Sequence, residues 1–322
     1  TVDGSDPRLP GGAVSPRART GPLPVLENTW VKARVREGGQ WSALNEAFFQ
    51  TSDASIRPGE LVIAEIHHGG VRDGTEFVEL MNISPRALDL RGVELAGGIR
   101  FALGTARETI LAPGRRLLLV RDLLRFQQEH GLEAAWSGIY RGRLSGEGEE
   151  LALMHGTNRL GSVWYGMDRP WPNVGSHSLV LADPRLGMEN PRAWRASAVP
   201  GGTPGSHDAL PILGDPAADN DRDGAPALIE YALGSSDNNP ADRARLEVKF
   251  VGNRTLLVSF PRRLGADDVV VTCESSEDLV TWRAAEFERS EVASPGLSTE
   301  TWTATGSAEK SVFLRVLVLR LE

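Results

Sequence analysis

Hydrophobic and polar residues alternate along most of this chain in short runs separated by Gly, Pro, Asn and Asp, the pattern of β-strands joined by turns. Near the start, Val31, Ala33 and Val35 alternate with Trp30, Lys32, Arg34 and Arg36. A second alternating run follows Gly38-Gly39, which predicts a hairpin over NTWVKARVREGGQWSALNEAFFQ. Two strands alone are rarely stable, so this hairpin either packs on a neighbour or frays. Between residues 58 and 205 the strands predicted are ELVIAEIHH, TEFVELMNIS, LDLRGVELA, RRLLLVRD, EELALMH, SVWYG and SLVLAD. In the second, Phe77, Val78, Leu80 and Met81 alternate imperfectly with Glu76, Glu79 and Asn82, as in a strand with one wet face. One helix interrupts them over residues 121–130. It carries Leu123, Leu124 and Phe126 on its apolar side and stops at Gly131. Beyond residue 245 the alternation resumes in LEVKFVGN, TLLVSFPRR, DVVVTCESS, TWRAAEF, TETWTATG and SVFLRVLVLRL. Residues 316–321 are apolar enough to need pairing within a sheet, because an exposed edge of this composition aggregates. The fold class expected is all-β, an arrangement of sandwiches.

Composition narrows the picture. A chain of 322 residues has room for two to three domains with ample core. A net charge of −8 argues against a general nucleic-acid binder. No apolar run approaches the roughly twenty residues that a membrane span requires. The single cysteine, Cys273, excludes an internal disulfide framework and a cysteine-based zinc site; its flanks, VVVTCESS, read as a strand and make it a buried structural thiol. Residues 1–24, polar and rich in Pro, Gly and Arg, read as a flexible segment. The chain starts at Thr1 with neither an initiator Met nor a signal peptide, and is read as part of a longer protein.

The sharpest chemical signal is DNDRDGAPALIE, residues 219–230. It matches the EF-hand calcium-loop pattern, with Asp219, Asp221 and Asp223 at the first, third and fifth places, Gly224 at the sixth and Glu230 at the twelfth. Ca²⁺ takes about six to eight hard oxygens, and carboxylates at alternate positions of a tight loop point inward. Gly224 supplies the left-handed turn. The Ala225 carbonyl and a water held near Ala227 add oxygens, and Glu230 closes the site with both of its own. With only Arg222 between them, the four carboxylates repel one another unless a cation is present. The flanks exclude an ordinary helix–loop–helix. GGTPGSHDALPILGDP ahead of the loop is full of breakers, and Pro226 at the eighth place lacks the N–H that a paired loop would use. A single exit helix is expected from Pro226 through Leu228, Ile229, Tyr231 and Leu233, ended by Gly234. The run resembles dockerin and thrombospondin-type calcium repeats, and DNDRDGAPALIEYALGSSDNNP resembles the linker repeat of secreted bacterial multidomain proteins. Such sites are structural more often than sensory.

Other candidates read as structure. His67 and His68 end a strand ahead of Asp73, Glu76 and Glu79, but neighbouring strand residues point to opposite faces and do not easily reach one ion. Glu76 and Glu79 also lie on opposite faces, which argues against a general acid/base pair. Ser176-His177 lacks a nucleophile elbow. Trp164, Tyr165, Trp171 and Trp194 could stack on sugars, and core or rim packing is the plainer reading. No catalytic residues emerge, and the chain is not expected to be an enzyme.

The motifs LVIAEIHH, GTEFVELMNISPRALDLRGVEL, ILAPGRRLLLVRD, GEGEELALMH and VWYGMDRPWPNVGSHSLVL with WRASAVPGGTPG, in this order, resemble the lamin-tail domain. The resemblance implies an immunoglobulin-like β-sandwich without catalytic residues, adhesive or scaffolding in role and common in secreted or surface bacterial proteins. In that family the aromatic-proline segment like Trp171-Pro172 belongs to the fold. The first hairpin resembles the end of a fibronectin-type-III-like or chitobiase C-terminal-like sandwich. The segment from ESSEDLVTW to FLRVLVLRL resembles the C-terminal β-sandwich of many sorted or autotransported bacterial proteins. The organisation expected is a flexible segment (1–24), a hairpin remnant (25–57), a lamin-tail domain (58–205), a calcium-binding linker (206–244) and a C-terminal sandwich (245–322). The function expected is non-catalytic binding or scaffolding at a bacterial cell surface or outside the cell. Its partner would be a protein or polysaccharide, with no nucleic acid and no membrane span, and Ca²⁺ the one cofactor. The alternatives are an accessory region of a secreted hydrolase, nuclease or spore-coat-type kinase whose catalytic domain lies upstream, and a carbohydrate-binding module.

Overall fold

The structure, a computed structural model, describes all residues except 27, 50, 52–54, 70–73, 132–134, 167–169, 252–254, 277, 285–287, 295, 306–312 and 322. The described residues form an all-β protein of short strands in several sheets, with two α-helices, α1 (Leu123–His130) and α2 (Ala227–Leu233). None of the described helices is long and apolar enough to cross a membrane. The chain divides into two compact units, the first Thr1–Ile66, Arg72–Tyr165 and Gly187–Glu189, the second His67–Val71, Gly166–Leu186 and Asn190–Glu322. The second unit therefore takes in all of segment 206–244 together with residues from both sides of it.

In the first unit, Thr29–Ala33 pairs antiparallel with Asn45–Phe49, and Arg36–Glu37 with Gln40–Trp41. Gly38 and Gly39 hold φ of 54° and 83°, the two left-handed positions that a tight hairpin turn requires. Residues 1–24, expected to be flexible, are tied to this hairpin. Thr1 and Lys32 exchange backbone hydrogen bonds of 2.9 and 3.0 Å. Arg34 donates through two nitrogens to Asp6 (2.8 and 2.7 Å), and Trp41 Nε1 donates to the Gly12 carbonyl (2.8 Å).

The rest of the first unit is built on two sheets. One places Gly138–Ile139, Arg116–Val120, Phe77–Asn82 and Leu61–His67 side by side; the other runs Arg141–Gly142, Ile99–Ala102, Val93–Gly97, Gly148–His155 and Asn158–Gly166. They face each other closely. Phe101 of the second lies where a Cβ on Gly138 of the first would stand, and Met188, outside both, accepts the Ile63 N–H at Sδ (3.0 Å) and fills the space where a Cβ on Gly161 of the second would stand. The strand expected to have one wet face has none. Phe77–Asn82 is buried except at half-buried Met81, because Phe126 and Leu123 of α1, with Trp136, cover the face carrying Phe77, Leu118 and Val120. α1 starts two residues later than its pattern suggests. Asp122 accepts from the Arg125 N–H (3.1 Å) as a cap, and Gly131 at φ 95° ends the helix. Leu124, placed by the pattern on the apolar side, is exposed.

In the second unit, Leu179–Leu181 pairs antiparallel with Trp194–Ala196. The C-terminal strands form two further sheets, one ordered Glu247–Val251, Thr255–Arg263, Leu297–Thr305, Glu288–Ser294, the other Arg283–Ala284, Val269–Ser276, Phe313–Arg320. Val258, Phe260 and Trp302 of the first meet Cys273 of the second in one core, and Leu233 of α2 joins them. Tyr231 and Ala232 pack on Ala266 and Val269. α2 is thus a built-in part of this core and not a free spacer. Segment 206–210 is held as firmly. Buried Arg195 binds Asp267 through Nε and Nη2 (2.6 and 2.5 Å) and also binds Asp208, while the Leu210 N–H donates to the Gly265 carbonyl (2.7 Å). Strand Glu288–Ser294 has a polar sequence, ERSEVAS, that gives no alternating signal, and it lies at a sheet edge. Phe313–Arg320 pairs along its whole length with Val269–Ser276 and forms the opposite kind of edge, an apolar one.

Candidate metal centre

Loop 219–230 folds around its own carboxylates. Asp219 accepts from the N–H groups of Asp223 and Gly224 (both 3.1 Å), Asp221 from Asp223 (3.1 Å), and Asp223 from Ala225 (2.8 Å). Side chains that bond backbone amides a few residues on make a tight turn, and Arg222 (φ 62°) and Gly224 (φ 96°) take the left-handed conformations it needs. The ends of the loop meet where Ala227 N–H donates to the Ala218 carbonyl (2.7 Å) and Leu228 N–H to that of Pro216 (3.0 Å). One carboxylate oxygen from each of Asp219, Asp221 and Asp223 then lies within 4.8 Å of the others. Among the described residues this is the one such group of three or more His, Cys, Asp or Glu ligands.

Glu230, on α2, stands outside that group of three, with Asp221 and Asp223 near enough for their charges to act on it. The helix begins after Pro226 and ends at Gly234, whose φ of 80° and N–H to the Glu230 carbonyl form a left-handed cap. Its docking in the core buries Glu230 to 1% exposure. Glu230 Oε1 accepts from Ser235 Oγ (3.1 Å), whereas among the described residues Oε2 has no hydrogen-bond partner, and neither has the buried atom Asp221 Oδ2. Burial holds the Glu230 carboxyl above its ordinary range. The negative charges of Asp221, Asp223 and Asp237 push the same way, against the hydrogen bond from Ser235. A buried acceptor left unmade costs on the order of 1–3 kcal/mol, more for a charge. These donors are all oxygens and mostly anionic, and two of them are buried without a proton donor. That combination fits a hard cation such as Ca²⁺. Ala225, whose carbonyl is the remaining sequence-derived ligand, follows directly in the turn.

Three residues outside the twelve-residue pattern also touch the site: Ser235, Asp237 and Arg243. Asp237 accepts from Asn220 N–H (3.0 Å) and from the Asn220 side-chain amide. Arg243 Nε lies 3.0 Å from Asp223 Oδ2. They belong to SSDNNPADR, a polar stretch whose composition signals a turn and whose spacing signals nothing about the loop.

The other candidates separate. His67 and His68 are buried, and burial pushes His68 down to about 4, which leaves a neutral imidazole at pH 7. Among the described residues neither joins a ligand cluster; Asp73 lies outside the described residues. Glu76 accepts from Arg121 Nη1 (2.8 Å) and the Leu144 N–H (3.2 Å), while Glu79 binds Arg116, so the two acids have different partners. His177 Nδ1 lies 2.7 Å from the Ser197 carbonyl. Tyr165 is buried and donates to the Ser145 carbonyl (3.0 Å) and Glu149 (3.1 Å). Trp194 is buried beside Trp171, and Trp164 is exposed. Cys273 is a core residue whose thiol burial pushes up to about 11. No family model matches the chain, and no curated protein and no solved structure matches it.

Proposed function

We propose that this chain is a non-catalytic binding or scaffolding region of a secreted or surface-exposed bacterial protein, braced by one structural Ca²⁺. Its first large block is read as a lamin-tail-like, immunoglobulin-like sandwich, on the motifs quoted above. The calcium reading rests on one observation: Asp221, within the aspartate cluster, and Glu230 each bury an oxygen that has no donor among the described residues. Asp219, Asp221, Asp223 and Glu230, with the Ala225 carbonyl, would hold the ion. The bound ion supplies positive charge and coordination, and no reaction is assigned to it. The residues themselves form the turn, seat α2 and exclude water from Glu230. An unpaired loop of this kind suits extracellular calcium, with a Kd on the order of 10⁻⁵ to 10⁻³ M. Calorimetric titration tests it: a single saturable Ca²⁺ site, lost in Glu230→Ala, is expected. Absence of binding to the wild type would leave only an acidic turn. The scaffolding role predicts no turnover of esters, phosphodiesters or glycosides; turnover abolished by changing His67, His68 or Glu76 would overturn it.

A further inference from the structure

Residues 235–243 run back across the metal loop after α2 and meet it at three points. Ser235 Oγ donates to Glu230 Oε1, Asp237 receives both the backbone and the side-chain N–H of Asn220, and Arg243 Nε pairs with Asp223 Oδ2 at 3.0 Å. These contacts reach the second, fifth and twelfth places of the loop, so they touch its entry, its middle and its closing ligand. The single Nε–H of Arg243 donates to the Pro240 carbonyl (3.0 Å), so its contact with Asp223 is an ion pair. The two charges on this strap have opposite signs. Asp223, whose side chain is 2% exposed, meets the guanidinium directly. A cation at the aspartates would therefore share that carboxylate with a fixed positive charge.

We propose that the strap of residues 235–243 is the outer wall of the calcium centre, and that its two charges tune the site in opposite directions. Asp237 strengthens ion binding by holding Asn220 and adding negative charge. Arg243 weakens it by competing for Asp223 as an internal cation. The strap takes the steadying place that a second loop holds in paired sites, which Pro226 forbids here. This inference rests on the calcium reading above.

The test is calorimetric Ca²⁺ titration of the full chain and of Arg243→Gln, Arg243→Lys and Asp237→Asn, at low and at high salt. Arg243→Gln is expected to bind about three- to tenfold more tightly, and Asp237→Asn weaker by a similar factor. Arg243→Lys, which keeps the charge, stays near the wild type. Both shifts shrink at high salt, as charge effects do and loss of structure does not. Equal or weaker binding by Arg243→Gln, or unchanged binding by Asp237→Asn, overturns the tuning role while leaving the calcium site intact. No binding by the wild type overturns the calcium reading itself, and the strap's role with it.

Discussion

Glu79 in the first unit and Glu230 in the second are equally buried, at 0% and 1% exposure, and their surroundings are opposite. Glu79 lies opposite Leu118 in the sheet and binds the guanidinium of Arg116. Nearby Glu76 has Arg121 and a backbone amide. Glu230 has a serine hydroxyl and three acidic neighbours. A buried carboxylate with an arginine is complete within the chain. One surrounded by its own kind is complete only with a cation, or with a proton. The same residue type at the same depth thus reports a finished structural pair in one unit and, on the calcium reading proposed above, a ligand in the other.

The largest effect expected from breaking this contrast is on the finished pair. Arg116→Met takes the guanidinium from buried Glu79 and should lower the unfolding free energy by about 3 kcal/mol, with or without EDTA. Denaturant melts measure it, and a loss that depends on calcium would erase the distinction. Next comes removal of the ion. At a calcium concentration about one hundred times Kd, binding adds about 2.7 kcal/mol, which chelation should take from the second unit as a lower melting temperature. Chelation should also open the loop to protease; digestion that ignores EDTA would argue against the site.

Glu230→Gln sharpens the comparison because its sign reverses. Without calcium the variant should be more stable than the wild type, by on the order of 1 kcal/mol, since it removes a buried charge that has one serine hydroxyl and three acidic neighbours. The Glu230 carboxyl is raised in the folded chain, so its cost is in place above that value and fades as pH falls through it. The variant's advantage in calcium-free melts should therefore shrink on acidification, and a constant advantage would point to packing instead. With calcium present the order inverts. The smallest effect is expected for Tyr231→Phe, which removes a hydroxyl bonded to Asp268 and the Leu210 carbonyl. A loss of about 1 kcal/mol in both calcium states would mean that α2 is seated by the core and not by the ion.

The strands and both helices were legible because period-two alternation, the apolar side and Gly131 of α1, and Pro226 with Gly234 of α2 are local signals. What covers a strand is not local. The alternation of Phe77–Asn82 cannot disclose that α1 lies over it, so buried Glu79 and Asn82 looked like part of a wet face. Glu288–Ser294 escaped because a polar edge strand owes its pairing to Leu297–Thr305 and not to its own pattern. In the metal loop the aspartates and Glu230 stand at defined spacings and could be named. Asp237 and Arg243 are brought there by the turn after α2, which no spacing encodes.

The seating of α2 also orders events in time. A helix of seven residues does not persist alone in water. Leu233 finds its place only when Val258, Phe260 and Trp302 are assembled, and Trp302 comes late in the chain. During synthesis the three aspartates therefore emerge well before the surface that delivers Glu230 to them. On the calcium reading proposed above, the ion would then lock a finished unit rather than serve as a template for building it. Kinetics should carry that signature: calcium is expected to slow unfolding and to leave the refolding rate nearly unchanged in stopped-flow measurements. Faster refolding with calcium would instead put the closed loop among the first things made.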